Sequence, residues 1–284
     1  MSGDPGHDGV EIMQRLGFRR GRPAHNDDFD SKRARRFDKK ERICKNGYFQ
    51  EKRSKPPYKR NVKQMNATTC PHRKLRSDLP PLPKRIAALP IDERGYPIPF
   101  FVSYIDGKPE FRLADGEKFA ACVRQRLCWV CGQPLGHFKT FVLGPMCTVS
   151  RTSADPPSHT DCAVWSVQAC PFLVRPNMVR REDELIRENR GNVAGVMIER
   201  NPGVSAVWVT GSYEIFRDQN GKPLFRVGPP HSVTWWAQGR RATRAEVLAS
   251  MASGLPLLVN VCRSDEERAA LAAEQERALT LIPK

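Results

Sequence analysis

Two short segments, CWVCGQPLG (128–136) and SHTDC (158–162), constrain this chain more than any other part of its sequence. Cys128 and Cys131 stand two residues apart with a glycine directly behind them. A tight turn of this kind can direct both sulfurs at one metal ion, and zinc takes four such ligands in a tetrahedron. The first segment therefore predicts half of a metal site.

The capping pattern of the second segment predicts the other half. Ser158 follows two prolines and precedes Asp161 by three residues, which matches a capping box, so a helix is expected to begin at His159. His159 and Cys162 then share one face of the first turn, where the helix N-terminus favours a thiolate. The predicted ligands are Cys128, Cys131, His159 and Cys162, and the predicted ion is zinc.

Other interpretations of the cysteines stay open. Cys147, in the segment GPMC, is a rival to His159, because structural zinc accepts four sulfurs or three sulfurs and a nitrogen. Cys170 would lie about 12 Å along a helix from Cys162, so it is expected at the helix end before Pro171. Unligated thiols and an iron–sulfur cluster are the remaining alternatives.

The segments around the cysteines predict both strands and helices. Residues 101–105 and 110–113 are expected to form a hairpin through an Asp-Gly turn, and residues 116–127 a helix that buries Cys122. Before them, LPPLPKRIAALP (79–90) is expected to lie extended over the surface. A strand is expected in HFKTFVLGPMC, and the order of knuckle, strand, loop and helix resembles the treble-clef zinc fold.

After the metal region the sequence predicts an antiparallel sheet covered by C-terminal helices. Strands are expected in VAGVMIE, VSAVWVTGSYEIF, PLFRVG and SVTWWA, with Asn-Pro-Gly and Asn-Gly turns between them. The predicted fold class is α+β, with a zinc-binding module at 81–180 and a C-terminal α+β region at 181–284 that packs with it as one unit.

Two capping boxes locate the C-terminal helices. The box at Thr243 opens a helix that Gly254 is expected to close, and the box at Ser264 opens a final helix. The residues expected on the buried stripe of the final helix are Leu271, Ala278 and Ile282.

Basic residues are concentrated at the start of the chain. Residues 1–90 contain 23 Lys+Arg and 10 Asp+Glu, whereas residues 91–284 contain 24 and 21. Because residues 1–80 lack apolar periodicity, they are predicted to be a disordered basic tail. Its cations can neutralise the phosphates of nucleic acid. The candidate nucleic-acid-binding residues are Arg33, Arg35, Arg36, Lys39, Lys40, Lys59 and Arg60 in the tail, and Arg240 and Arg241 near the C-terminus.

Alternatives exist for both basic regions. The tail can be a solvated charge run without a partner, and a start of translation at Met65 would remove most of it. Trp235 and Trp236 alternate across a predicted strand, so one is expected in the core and the other exposed, where it could stack on a base beside Arg240 and Arg241. The second Trp can instead lie under the final helices.

The sequence favours a structural metal over a catalytic one. Catalytic zinc has three protein ligands and an open position, whereas four ligands are available here. Leu127 replaces the proline of the zinc deaminase pattern, and Gly136-His137 replaces the Asp-His pair of HNH nucleases. If an active site exists, it is expected in the loop 148–158, with Arg151 and Asp155 as candidates, and His137 after the knuckle is a further candidate. The loop can equally be a polar connection whose side chains cap neighbouring backbone.

Six segments carry a resemblance to a family. They are RGYPIPFFV (94–102), CWVCGQPLG, GPMC (144–147), PPSHTDCA (156–163), ACPF (169–172) and ATRAEVLASMASGLPLL (242–258). Over about residues 80–284 the chain resembles an uncharacterised family encoded by tailed bacteriophages, prophages and bacterial genomes. The resemblance implies a setting in a phage or bacterial cytoplasm and assigns no catalytic residues.

These observations lead to one functional hypothesis and two alternatives. No segment resembles a signal peptide or a membrane span, so the cytoplasm is the expected compartment, where the nine cysteines serve as thiols or metal ligands. The leading hypothesis is a zinc-stabilised protein that binds nucleic acid or a nucleoprotein partner. The alternatives are a nuclease-like enzyme of nucleic-acid metabolism with its site in loop 148–158, and an adaptor that binds only protein.

Overall fold

Three antiparallel β-sheets and seven helices make up the part of the chain that the computed structural model describes, residues 74–176, 178–179, 201–218 and 220–284. In chain order the elements are α1 (Lys84–Ala87), β1 (Val102–Ile105), β2 (Lys108–Ala114), α2 (Gly116–Gln125), β3 (Lys139–Leu143), α3 (Pro145–Ser150), β4 (Thr152–Ser153), α4 (Thr160–Ala169), α5 (Pro171–Val174), β5 (Ser205–Thr210), β6 (Tyr213–Arg217), β7 (Pro223–Val227), β8 (Pro230–Ala237), β9 (Arg240–Arg241), α6 (Arg244–Val259) and α7 (Asp265–Leu279).

These elements confirm the predicted α+β class. Residues 1–73 of the predicted tail, the predicted strand 193–199 and the predicted boundary at residue 180 lie outside the described residues.

The first sheet is the predicted hairpin. β1 and β2 pair antiparallel, and Asp106 and Gly107 connect them with φ of 49° and 76°. Positive φ at both turn positions matches the twist of a two-residue hairpin, which is why an Asp-Gly pair suits it. Helix α2 follows, and its N-cap Asp115 accepts hydrogen bonds from two backbone N–H groups of the first turn.

The central sheet has the strand order β3-β5-β8-β9 and joins the two predicted regions. β3 is the strand expected between the two halves of the metal site, and it pairs antiparallel with β5 from the C-terminal region. One face carries Phe141 and Trp208 into the main core beneath α6 and α7. The other face carries Val207 and Trp236 against α4. Helix α4 is therefore held on the sheet by its buried apolar residues.

A third sheet, ordered β4-β7-β6, departs from the single antiparallel sheet that the sequence predicts. Only Gly211 and Ser212 separate β5 from β6, yet the two strands belong to different sheets. The Thr210 side chain turns the chain here, because its hydroxyl donates to the Pro229 carbonyl at 2.8 Å and accepts from the Ser212 N–H at 3.3 Å. Phe225 of β7 then packs into the main core.

Helix α6 confirms the capping box but not the predicted end of the helix. Thr243 and Glu246 cap each other's backbone N–H, as the sequence predicts. The helix continues through Gly254 and Pro256 to Val259. A Cβ at Gly254 would lie 2.9 Å from Cγ of Met146 in α3, so this glycine allows the two helices to approach closely. Its role is in packing and not in termination.

Helix α7 and the residues after it complete the main core. Ser264 caps the helix by accepting a hydrogen bond from the Glu267 N–H. Leu271, Ala278 and Ile282 are all buried, which confirms the predicted stripe.

Both tryptophans of β8 are buried, so the expectation of an exposed tryptophan is wrong. Trp235 faces the main core, and its indole N–H donates to the Leu281 carbonyl at 2.9 Å. Trp236 lies on the opposite face against α4, with the Arg241 guanidinium 4.4 Å from its ring centroid. Strand alternation was predicted correctly, but α4 covers the second face, and Trp235 is the residue that contacts the C-terminal segment.

The capping box of α6 carries a pH-dependent ion pair. Hydrogen bonds from Arg240, and then from the Thr243 backbone, lower the pKa of Glu246 to about 2. A lowered folded-state pKa contributes stability above the ordinary carboxyl pKa, and that contribution is lost as the pH falls from about 4.5 towards 2. We therefore expect Glu246→Gln to lower the free energy of unfolding at pH 7, and the deficit to shrink near pH 2.5.

Urea unfolding at both pH values measures this effect. Glu276→Gln is the control, since Glu276 is exposed on α7 and forms no ion pair with any described residue. A deficit that is the same at both pH values would contradict the assignment to the Glu246 carboxylate.

Candidate metal centre

The first half of the centre is a tight turn closed by backbone hydrogen bonds. The Gly132 N–H donates to the Cys128 carbonyl at 2.8 Å, and the Cys128 N–H donates to the Gln133 carbonyl at 2.8 Å. The Cys131 N–H points at the Cys128 sulfur, 3.4 Å away. Gly132 has a φ of 70°, which a side chain would disfavour. The CxxCG pattern thus folds locally into the predicted knuckle.

The second half begins one residue later than the capping pattern predicts. Ser158 exchanges two backbone hydrogen bonds, of 2.9 and 2.8 Å, with Thr140 of β3. Since this bridge holds Ser158 against the sheet, His159 becomes the N-cap of α4 and the helix starts at Thr160. The Ser158 cap is therefore wrong, although Cys162 still lies in the first turn.

The four predicted ligands meet at one point. The ligand atoms of Cys128, Cys131, His159 and Cys162 all lie within 4.8 Å of one another, and they form a group that can hold a metal ion. His159 Nδ1 lies 3.4 Å from the Cys131 sulfur and 4.0 Å from the Cys162 sulfur. In a tetrahedral zinc site a ligand nitrogen and sulfur are about 3.6 Å apart, and the two distances lie on either side of that value. The prediction that these four residues come together in a group that could hold a metal ion is confirmed.

A hydrogen bond orients the histidine for this role. His159 Nε2 lies 3.0 Å from the Pro134 carbonyl oxygen, which can only accept, so Nε2 carries the proton. Nδ1 is then free to offer its lone pair to the cluster. A ring nitrogen that donates to a backbone carbonyl is the usual outer support of a metal-binding histidine. No pattern in the sequence predicts the Pro134 contact.

The three sulfurs lie close enough for each to shift the pKa of the others. Hydrogen bonds from the Cys131 side chain first, and then from Cys162, lower the pKa of Cys128. The same contacts with Cys128 raise the pKa of Cys131 to about 11, and they also raise that of Cys162. Three thiolates at this distance need a cation to neutralise them, which a divalent metal supplies.

Helix α1 and its flanking residues cover the centre, which corrects the expectation of an extended surface segment. Ile86 is fully buried and packs in one cluster with Cys128, Cys131 and Cys162. Arg85 pairs with Asp161 of α4 at 2.9 Å and so ties the covering helix to the helix that carries Cys162. The apolar residues of KRIAAL could have predicted a buried helix, but the prolines on both sides favour an extended segment.

Among the described residues, the remaining cysteines do not belong to the group of four ligands. Cys147, the rival ligand, is exposed on α3 and does not belong to the group. Cys170 is the C-cap of α4, as expected for the end of the helix before Pro171. Cys122 is buried in α2, which confirms its packing role.

The structure does not gather the three candidate catalytic residues into the metal-binding group. The loop 148–158 contains the end of α3 and all of β4. The Arg151 guanidinium donates to the Val227 carbonyl at 2.9 and 3.2 Å, so it supports β7, as the capping alternative predicts. Asp155 and His137 are exposed. Neither belongs to the group that can hold a metal.

The predicted nucleic-acid-binding residues are only partly described. Residues 33–60 lie outside the described ranges. Arg240 donates two hydrogen bonds to the Glu246 carboxylate, of 2.7 and 3.0 Å, and Arg241 stacks on Trp236. Both arginines therefore stabilise the β8–β9 turn and its contact with α6.

The comparisons with known proteins return no relative. No family model matches the chain, and no curated protein or solved structure matches it significantly. Within the described residues, no helix has both the length and the apolar character that a membrane span requires.

Proposed function

We propose that this protein is a zinc-stabilised nucleic-acid-binding protein in which the zinc is structural. One observation carries the structural role: the cluster offers four protein ligands, and none of them is more than 9% exposed. Catalytic zinc keeps a position open to water, whereas structural zinc is enclosed by four protein ligands. His159 uses Nε2 on a backbone carbonyl, which leaves it no free nitrogen for proton transfer.

Zinc is the ion that suits these donors best. Three sulfurs and one imidazole are softer ligands than magnesium or calcium prefer, and this combination is common in structural zinc sites. The order of knuckle, β3 and α4 supports a treble-clef-like arrangement, in which α3 and β4 occupy the connection between strand and helix.

The charge of the chain supports nucleic acid as the partner. The whole sequence contains 47 Lys+Arg against 31 Asp+Glu, and the excess is concentrated in residues 1–90. Such an excess attracts polyanions through release of their counterions, independently of base sequence. The family resemblance supports a setting in the cytoplasm of a bacterial host.

Salt-dependent binding tests this function. We expect the full zinc-loaded chain to bind labelled DNA or RNA with an affinity that falls linearly with salt concentration on logarithmic axes. Replacing Arg33, Arg35, Arg36, Lys39 and Lys40 with Gln should make the slope shallower by up to about 4.5, because each lost phosphate contact contributes about 0.7 to 0.9. Fluorescence anisotropy measures the slope at salt concentrations from about 50 to about 300 mM, which bracket the physiological ionic strength.

A second set of substitutions distinguishes the loss of phosphate contacts in the tail from a general loss of positive charge. Arg263→Gln with Lys284→Gln removes two exposed cations outside the tail and should change the slope little. Absence of salt-dependent binding to every oligonucleotide would overturn the nucleic-acid function and favour a protein-only adaptor. Metal-dependent cleavage of the oligonucleotide would overturn the structural role of the zinc.

A further inference from the structure

A cationic cleft opens between the end of α2, the start of β3 and the β5–β6 turn. Its volume is about 470 Å³, and the charged side chains among its described lining residues are Arg126 and Lys139, with no carboxylate. Glu214 of β6 alternates to the strand face opposite Tyr213 and lies 4.0 Å from Arg226. The cleft therefore has a positive lining that no acidic side chain neutralises from within.

Both cations have donors to spare. Arg126 is exposed, and its guanidinium forms no hydrogen bond or ion pair with any described residue. The Lys139 ammonium donates to the His137 and Gly211 carbonyls, at 2.7 and 3.3 Å. An ammonium has three donors, so one stays available for a further acceptor. Together these groups can bind a phosphate oxygen from two sides.

An exposed aromatic patch adjoins the cleft. The Phe138 side chain is 44% exposed, and the His137 and His231 rings flank it at centroid distances of 4.9 and 4.8 Å. We call these three residues the Phe138 patch. The His231 ring is tilted by 33° to Phe138, whereas the His137 ring is nearly perpendicular to it at 80°. An aromatic side chain that stays this exposed beside other rings suits stacking with a planar base.

The Phe138 patch and the cleft form one continuous surface. Phe138 directly precedes Lys139 in the chain, and Lys139 donates to the carbonyl of His137. A Cβ on Gly211, a lining residue of the cleft, would lie 3.9 Å from Nε2 of His137. A ligand in the cleft can therefore reach the patch without crossing another element.

The metal knuckle holds both parts of this surface. The Leu135 N–H donates to the Arg126 carbonyl at 2.8 Å, and Leu127 and Pro134 form a β-bridge. Arg126 thus precedes the knuckle in the chain, and Phe138 follows it. A structural metal at Cys128 and Cys131 would fix the separation between cation and aromatic ring.

We propose that the cleft and the Phe138 patch bind a segment of single-stranded nucleic acid, with phosphate oxygens on Arg126 and Lys139 and a base stacked on Phe138. The proposal rests on the nucleic-acid-binding function above and names the form that the folded part recognises. A cationic groove beside an aromatic ring is the usual combination for single strands. In a duplex the base faces are already stacked on each other, so Phe138 could not reach one.

Fluorescence anisotropy tests the proposal with three probes, each about 12 nucleotides long so that it spans one site. The probes are single-stranded dT, single-stranded rU and a blunt duplex. The protein is the full zinc-loaded chain in which all the candidate tail residues are replaced by Gln, so that their phosphate contacts do not mask the cleft. These residues are Arg33, Arg35, Arg36, Lys39, Lys40, Lys59 and Arg60. We expect Phe138→Ala to weaken single-strand binding about 5- to 100-fold and to leave duplex binding unchanged. Arg126→Gln should weaken it and reduce the salt slope by about 0.7.

Two matched controls accompany these variants. Arg124→Gln removes an exposed cation from the same helix outside the cleft, and Tyr104→Ala removes an exposed aromatic ring from β1. Both should keep single-strand affinity within about twofold, since neither touches the proposed surface. Equal circular dichroism and zinc content verify that all variants are folded. The dT and rU probes decide between DNA and RNA.

The possible outcomes separate the two proposals. If Phe138→Ala and Arg126→Gln bind single strands as tightly as the parent, the cleft proposal is overturned while the nucleic-acid function stands. A preference of the parent for duplex also overturns it. If the natural chain, with its tail intact, binds no nucleic acid at all, both proposals fail together.

Discussion

Replacing Cys128 and Cys162 together with Ser is expected to abolish metal binding and to unfold the region around the centre. Both cysteine side chains are fully buried. Each substitution therefore removes a metal ligand that no other described residue replaces. Structural zinc contributes about 10 kcal/mol or more in small zinc domains, which is comparable to the whole stability of an ordinary domain. We expect one zinc per natural chain and none in the double variant.

Elemental analysis and tryptophan fluorescence measure this result. Trp165 packs in the same cluster as the ligands, and Trp129 lies inside the knuckle, so a chelator should change their emission as zinc leaves. Acidification should have the same effect, because protons compete with the metal for sulfur and for His159 Nδ1.

Cys147→Ser is the matched control for the double variant. Cys147 is exposed and outside the cluster, so this variant should keep one zinc and the natural stability. Less than about half a zinc per natural chain, unchanged in the double variant, would show that these four residues do not form a closed zinc site.

Gly132→Ala is expected to destabilise the knuckle for two separate reasons. The φ of 70° at this position costs a residue with a Cβ about 1 to 2 kcal/mol. The added Cβ would also lie 2.6 Å from Cδ2 of Phe100, whose backbone N–H is bonded to the Val130 carbonyl at 2.7 Å. Such overpacking typically adds about 1 to 3 kcal/mol. The total is about 2 to 5 kcal/mol, with weaker metal binding because Gly132 also bonds to Cys128.

Gly221→Ala isolates the first reason, and the difference between the two substitutions measures the second. Gly221 has a φ of 73°, and no described atom lies within 4 Å of a Cβ placed on it, so only the backbone strain applies. Urea unfolding in the presence of zinc compares the free energies of unfolding of the two variants. Competition with a chromogenic chelator compares their affinities for the metal. Equal destabilisation by the two substitutions would mean that the Phe100 contact contributes nothing.

The ligand set was predictable because its information is local. Cys128 and Cys131 are brought together by a single turn, and His159 and Cys162 by the start of one helix. Spacing in the sequence is then nearly equivalent to spacing in the fold. The same holds for the Thr243 capping box, whose partners are three residues apart.

Predictions failed where a distant segment decided the outcome. Ser158 forms a bridge with Thr140 of β3 and so does not cap the helix. The sequence predicts a helix end at Gly254, but the close approach of Met146 is the reason for this glycine. The burial of Trp236 depends on α4, about 70 residues away in sequence, which no periodicity within β8 could reveal. The cover that α1 provides over the metal centre is a contact of the same kind.

The sequence by itself determined which four residues can bind a metal, which segments form the hairpin and the capped helices, and where the basic charge is concentrated. Only the tertiary structure decided that the knuckle places Arg126 and Phe138 on one surface with the β5–β6 turn. The reason is physical: hydrogen bonds within one turn depend on neighbouring residues, whereas a cleft depends on which strands pair, and pairing is selected by burial over the whole core.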